Sequence, residues 1–162
     1  MLPLQNSVRR ARPADIPRIL ELLHQVNMVH HALRPDLFKP YTTKYSAQEL
    51  QGLLADESKP IFVYDDGQQV LGYAFCQITK VSGHHLLQDV TTLYIDDICV
   101  DETARGRHVG TALYRTVLSH AQTLGCHHVT LNVWEGNTSA QHFYQSMGMT
   151  VQKTTMEILI PH

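Results

Sequence analysis

Apolar positions along the chain change period several times, and each change marks an element. Ser7 to Arg12 alternates weakly and predicts a first strand. Asp15 can cap a helix with Pro17 in its first turn, where a missing N–H costs nothing. Ile16, Leu20, Leu23, Val26 and His30 then keep the helical period, with Ile19 and Leu22 widening the stripe. The stretch from Arg34 to Tyr45 loses all period and holds two prolines and three aromatics, which predicts a loop. Ser46-Ala47-Gln48-Glu49 reads as a capping box opening a short helix to Asp56. Ile61 to Tyr64 and Val70 to Val81 read as a hairpin turning at Asp65-Asp66-Gly67. Val90 to Val100 predicts a further strand and Gly106 to Leu124 a long amphipathic helix closed by Gly125. Val129 to Val133 predicts a strand, Ser139 to Met147 a short helix stopped by Gly148, and Met149 to Ile160 a last strand or hairpin arm. The order is that of a mixed α/β protein.

Composition narrows the classes. A chain of 162 residues predicts one domain, 1–162, and 13 Lys plus Arg against 15 Asp plus Glu leave a formal charge of −2. That balance lacks the basic excess of a nucleic-acid binder. No apolar run approaches the roughly 20 residues of a membrane helix. Met1-Leu2-Pro3-Leu4-Gln5-Asn6 has no basic and apolar leader, and the expected setting is cytoplasmic. Cys76, Cys99 and Cys126 form no C-x-x-C pair and read as buried apolar residues. Eleven histidines, with adjacent pairs at 30–31, 84–85 and 127–128, show no zinc spacing, and no metal is expected.

Three features carry chemistry. Asp96 and Asp97 interrupt the apolar strand Tyr94-Ile95-Asp96-Asp97-Ile98-Cys99-Val100, where aspartate is disfavoured. Alternation sends Asp96 to one face with Tyr94, Ile98 and Val100, and Asp97 to the other. The pair fits either a site or a local break between two shorter strands. Next, Asp101-Glu102-Thr103-Ala104-Arg105-Gly106-Arg107-His108-Val109-Gly110-Thr111 joins this strand to the long helix. It offers backbone N–H groups and two guanidiniums where an anion would lie, although it is neither a Walker nor a Rossmann loop. Last, Asn137 caps a short helix whose Ala140, Phe143, Tyr144 and Met147 share a face, a pattern that simple packing would also explain.

In combination and in this order, the features resemble the GNAT superfamily of N-acetyltransferases. The family's pyrophosphate loop, R/Q-x-x-G-x-G/A, is matched by Arg105-Gly106-Arg107-His108-Val109-Gly110, with His108 where the family has its middle glycine. A second motif, N-x-x-A-x-x-F-Y-x-x-x-G, is matched by Asn137, Ala140, Phe143, Tyr144 and Gly148. The resemblance implies a central mixed, mostly antiparallel sheet with flanking helices and a splayed parallel strand pair. It also implies acetyl-CoA as donor. The backbone of Ile98, Cys99 and Val100 would pair with pantetheine. Arg105, Gly106, Arg107, His108, Val109, Gly110 and Thr111 would hold pyrophosphate. Asn137 and Tyr144 would line the pantetheine arm, with Asn132, Ser139 and Phe143 as further cofactor-binding residues. A Cβ at His108 would crowd a close phosphate approach, whereas helical φ there would tolerate it.

The implied reaction is direct transfer of acetyl to a primary amine of a small molecule or peptide. Asp96, or a water on it, matches the position of a proposed base in polyamine-acetylating relatives. Asp97 is the fallback, since a one-residue slip exchanges their faces. Tyr144 would protonate the departing thiolate, and Cys99 is read as no nucleophile. Phe38, Tyr41 and Tyr45 are the expected acceptor-side wall. Two other readings are a non-catalytic acyl-CoA-binding regulatory module, which would bind donor without turnover, and a mononucleotide-binding protein, which would bind simple nucleotides equally well. A homodimer would cover the apolar segment Met156-Glu157-Ile158-Leu159-Ile160.

Overall fold

The structure, a computed structural model, describes residues 7–162. Met1 to Asn6, read above as lacking a leader, lie outside the described residues. Two compact units divide at Asn132 and Val133. The larger is built on a five-stranded sheet of β1 (Val8–Arg10), β2 (Ile61–Asp65), β3 (Val70–Val81), β4 (Val90–Val100) and β5 (His128–Leu131), in that spatial order. Successive pairs are antiparallel except β4 and β5, which are parallel. Three helices accompany it: α1 (Ile16–Leu33), α2 (Ala47–Leu54) and α3 (Val109–Thr123).

Both faces of the sheet are covered, so β2 and the first half of β3 are buried residue after residue instead of alternately. On one face Ile61, Val63, Tyr73, Phe75 and Cys99 meet Ile16, Ile19, Leu22 and Leu23 of α1 and Leu50 of α2. The helical stripe read in the sequence is the buried face of α1. Asp15 precedes that helix without capping it. Its carboxylate instead takes the Arg12 N–H at 2.8 Å and the Arg9 guanidinium at 2.8 and 2.9 Å. At α2 the capping box forms as expected, with Glu49 N–H donating to Ser46 Oγ at 3.1 Å and Ser46 N–H to Glu49 Oε1 at 3.0 Å.

On the other face α3 packs through Val109, Ala112, Leu113, Val117 and Ala121. Gly72 of β3 lets it close: a Cβ there would stand 2.7 Å from the Cys99 carbonyl oxygen and 3.1 Å from Val109 and Leu113. The helix begins at Val109, three residues later than its sequence pattern predicts. Gly106 and His108 both have positive φ, +81° and +60°, and such residues cannot continue an α-helix.

Two irregularities of β4 shape the site. Opposite β3, the register steps from Phe75↔Asp97 to Cys76↔Ile95, which makes Asp96 the extra residue of a β-bulge. Opposite β5, pairing covers only Thr92 to Ile95 against His128 to Leu131. Among the described residues no strand pairs with Asp96–Val100 on that side. This is the splay of the parallel pair.

The smaller unit, Val133 to His162, contains α4 (Thr138–Ser146). Asn137 caps it by accepting from Ala140 N–H at 3.4 Å, and Gly148 with φ +96° follows its end. The last strand expected over Met149 to Ile160 is absent: the residues after α4 carry no strand assignment. Their own unit offers no strand to pair with, and an extended segment gains its backbone hydrogen bonds only from a neighbour. Met156, Ile158, Leu159 and Ile160 are exposed.

Candidate active site

The bulge corrects the expectation that Asp96 and Asp97 face opposite ways. The extra residue breaks alternation, and both carboxylates reach the face that α1 covers. Asp97 Oδ2 accepts the Tyr73 hydroxyl at 2.6 Å. Asp96 Oδ2 accepts Lys44 Nζ at 2.7 Å and the Tyr45 hydroxyl at 3.4 Å. An aromatic chain backs them: Tyr45 stacks on Phe75 with centroids 5.6 Å apart, and Phe75 meets Tyr73 edge-on at 4.8 Å. A small cavity of about 50 Å³ opens beside Tyr45, Phe75, Cys76, Gln77 and Asp96.

The electrostatics separate the two acids from their neighbours. Burial pushes the Asp97 carboxyl up to about 6, against the pull of the Tyr73 phenol and with the Asp96 charge adding to the rise. Tyr73 itself is raised well above the ordinary phenol range by burial and by Asp97. The Cys99 thiol is buried, donates to the Leu22 carbonyl at 3.5 Å, and is pushed up to about 12 by burial. Such a thiol holds its proton at neutral pH.

Beyond the carboxylates, Ile98, Cys99 and Val100 form the end of β4 that pairs with β3 but not with β5, and they lead into the turn. Asp101, 4% exposed, anchors that turn. It accepts the Thr103 N–H at 2.8 Å and the Thr103 hydroxyl at 2.7 Å, and it pairs with the Arg18 guanidinium. Burial raises its carboxyl, but Thr103 and Arg18 outweigh this and bring it down to about 2. Arg18 Nε also donates to the Val70 carbonyl at 2.8 Å, and Glu102 N–H donates to Gln25 Oε1 at 3.3 Å. Arg105, Gly106, Arg107 and His108 are exposed on the far side of the anchor. His108 sits at φ 60°, ψ 23°, the left-handed conformation a glycine adopts freely. Helix α3 then starts without a side-chain cap, and its first-turn N–H groups, from Val109 through Thr111, have no intrahelical acceptor.

Of the expected acceptor wall, Tyr45 reaches the carboxylates. Phe38 lies 5.1 Å from the ring of His30, and Tyr41 is exposed with φ 56°. Asn132 donates to the Tyr94 hydroxyl at 3.2 Å. In the smaller unit, Ser139 Oγ donates to Asn137 Oδ1 at 3.4 Å, and the rings of Phe143 and Tyr144 lie 5.1 Å apart. Lys44, Tyr73 and Phe75 escaped the sequence reading. Tyr73 and Phe75 carry the alternation of a buried strand and nothing more. Lys44 meets its partner across 52 residues.

An open strand edge, a positive-φ turn and an uncapped helix in sequence are the features the pyrophosphate motif belongs to. The sequence model of the Acetyltransferase (GNAT) family matches residues 26–149. This chain belongs to the GNAT family. Among solved structures it is similar to a mutant of the BH1408 protein of Bacillus halodurans, at 28% identity and a TM-score of 0.91, with 95% of this chain and 99% of that one covered. It also shares its fold with two acetyltransferases at lower identity. One is an aminoglycoside acetyltransferase from an uncultured soil metagenomic sample, at 17% identity, TM-score 0.73 and 99% coverage of both chains. The other is glucosamine-6-phosphate N-acetyltransferase of Arabidopsis thaliana, at 18% identity, TM-score 0.70, covering 95% of this chain and 97% of that one. No curated protein sequence matches the chain.

Proposed function

We propose that this GNAT protein transfers the acetyl group of acetyl-CoA directly to a primary amine of a small molecule or peptide. The observation that carries the reading is the end of β4, from Asp96 to Val100, open along one edge and leading to the uncapped start of α3. An open edge suits the amides of pantetheine as an added strand would, through Ile98, Cys99 and Val100. The first N–H groups of α3, with Arg105 and Arg107, suit pyrophosphate. The family resemblance assigns Asn137 and Tyr144 to the pantetheine arm, with Asn132, Ser139 and Phe143 as further cofactor-binding residues. That two neighbours of the same fold are named for aminoglycoside and glucosamine-6-phosphate acceptors supports an amine here.

Bound acetyl-CoA supplies the activated thioester. Asp96 attracts the amine as a cation. Asp97, with its carboxyl near 6, is ionised at neutral pH yet basic enough to take a proton directly or through a water. A backbone N–H near Cys99 would stabilise the developing oxyanion, and the family resemblance assigns Tyr144 the role of proton donor to the departing sulfur. The buried Cys99 thiol takes no covalent part. The free thiols Cys76, Cys99 and Cys126 support a reducing, cytoplasmic setting. The exposed Met156, Ile158 and Ile160 support a homodimer, which sedimentation at rising concentration checks.

Calorimetric titration with acetyl-CoA, beside dephosphorylated CoA and ATP, tests the donor site, and amine-dependent thiol release tests turnover. We expect micromolar binding of acetyl-CoA, weaker binding of ATP, and a roughly hundredfold slower release in Tyr144→Phe. Binding with no release across a broad amine panel would make the protein a CoA-binding module. A folded protein that binds no CoA species overturns the reading altogether.

A further inference from the structure

Lys44 is the member of the acid cluster that the proposed chemistry leaves unused. Its ammonium lies 2.7 Å from Asp96 Oδ2 and 5.5 Å from the centroid of the Tyr45 ring. A carboxylate and an aromatic face are the two groups with which proteins hold alkylammonium ions. Lys44 is itself a primary alkylammonium, the same chemical species as a protonated acceptor. It is also lightly held. Its side chain is 53% exposed against 21% for Asp96, it stands on a segment without helix or strand, and exposed ion pairs of this kind are weak. The small cavity beside Tyr45, Lys59, Phe75 and Asp96 opens next to the same carboxylate.

We propose that Lys44 is a resident stand-in for the acceptor: a cationic alkylamine displaces it from Asp96, and the lysine thereby sets the threshold for acceptor selection. The inference rests on the reading of Asp96 as the acceptor's seat. Asp96 Oδ2 already accepts from Lys44 and from the Tyr45 hydroxyl, and a second ammonium beside Lys44 would meet a like charge at close range, so entry of the acceptor and departure of Lys44 are one exchange. Amines that arrive uncharged, or that bear a nearby carboxylate, gain nothing from the exchange and are selected against.

The full-length protein and 1,3-diaminopropane as probe test this in two ways: calorimetric binding without acetyl-CoA, and KM from thiol release with it. Lys44→Met keeps the length and removes the charge, and Lys44→Arg keeps the charge. We expect Lys44→Met to bind the diamine about tenfold more tightly and to lower KM to match, while Lys44→Arg moves either by less than threefold. In an Asp96→Asn background the Lys44→Met gain disappears. Unchanged or weaker diamine binding in Lys44→Met overturns the exchange. The two readings fail separately. Tighter binding in a protein that releases no thiol with any amine sinks the catalytic reading and leaves the exchange standing. Normal turnover with an unmoved KM does the reverse.

Discussion

The two ends of the open stretch of β4 are held in contrasting ways. At the proposed donor end, the buried Asp101 carboxylate is held by three groups, the Thr103 N–H and hydroxyl and the Arg18 guanidinium, which also grips the Val70 carbonyl. Gly72 leaves no room for a Cβ between the Cys99 carbonyl of β4 and the Val109 and Leu113 side chains of α3, so strand and helix pack closely there. At the proposed acceptor end, Asp96 is met by one half-exposed lysine and the Tyr45 hydroxyl, both from an irregular loop. On the proposed reading, the difference teaches how one scaffold would serve a common donor and varied acceptors. The part that must fit an invariant molecule is fixed by buried bonds, and the part that selects is tied by a contact that solvent can replace.

That contrast can be broken most strongly at its rigid end. Asp101→Ala removes the Thr103 and Arg18 contacts that hold the turn, while Arg18 keeps Glu21 and the Val70 carbonyl, and we expect a loss of about 2–3 kcal/mol in denaturant unfolding. In the native protein the Asp101 carboxyl lies below its ordinary value, at about 2, so its contribution is complete above the unfolded pKa near 4 and lost as pH falls toward 2. A variant as stable as the parent at pH 7 would mean the turn is held by something else.

Asp97→Asn tests the opposite sign. A carboxyl raised to about 6 favours the folded state while protonated, fully below about pH 4, and that advantage is lost as pH rises through 6. Removing the charge is therefore expected to stabilise the protein by about 2 kcal/mol at pH 8 and by little at pH 4. Thiol release is expected to fall about a hundredfold and its acid limb near pH 6 to flatten. Stability gained without activity lost would take the base role from Asp97.

The smallest effect is expected at His108. Its left-handed backbone costs about 1 kcal/mol relative to glycine, an amount partly offset by glycine's greater freedom when unfolded. His108→Gly should leave the melting temperature within a few degrees and tighten acetyl-CoA binding a few-fold. Weaker binding instead would assign the imidazole a phosphate contact of its own.

Much of the frame was legible in the sequence because local chemistry decided it. The capping box at Ser46, the hairpin around Gly67 and the limits of β3 and β4 follow from residue type and period. The start of α3 was misread because an apolar stripe records which face is buried, while a positive φ at His108 leaves no trace in that stripe. The side-chain count of β4 failed for a related reason. Two aspartates in an apolar strand signal an anomaly, but alternation cannot say whether the anomaly is a site, a break or a bulge. The Asp96 and Lys44 contact is a matter of tertiary placement, and neither residue's neighbours in sequence encode it. The final segment kept its strand-like alternation without acquiring a strand's partner.

The bulge at Asp96 gives β4 two reading frames. Upstream of it, odd and even positions point one way; downstream, the parity is reversed. The acceptor's acids and the donor's backbone seat lie on opposite sides of, or astride, that phase change. Deleting a single residue there would therefore do more than misplace a carboxylate. It would put the whole of Tyr94 to Val100 into one frame with Cys76 still opposite Ile95 and an acid still opposite Phe75, leaving a single carboxylate on the face of α1 where two now stand side by side.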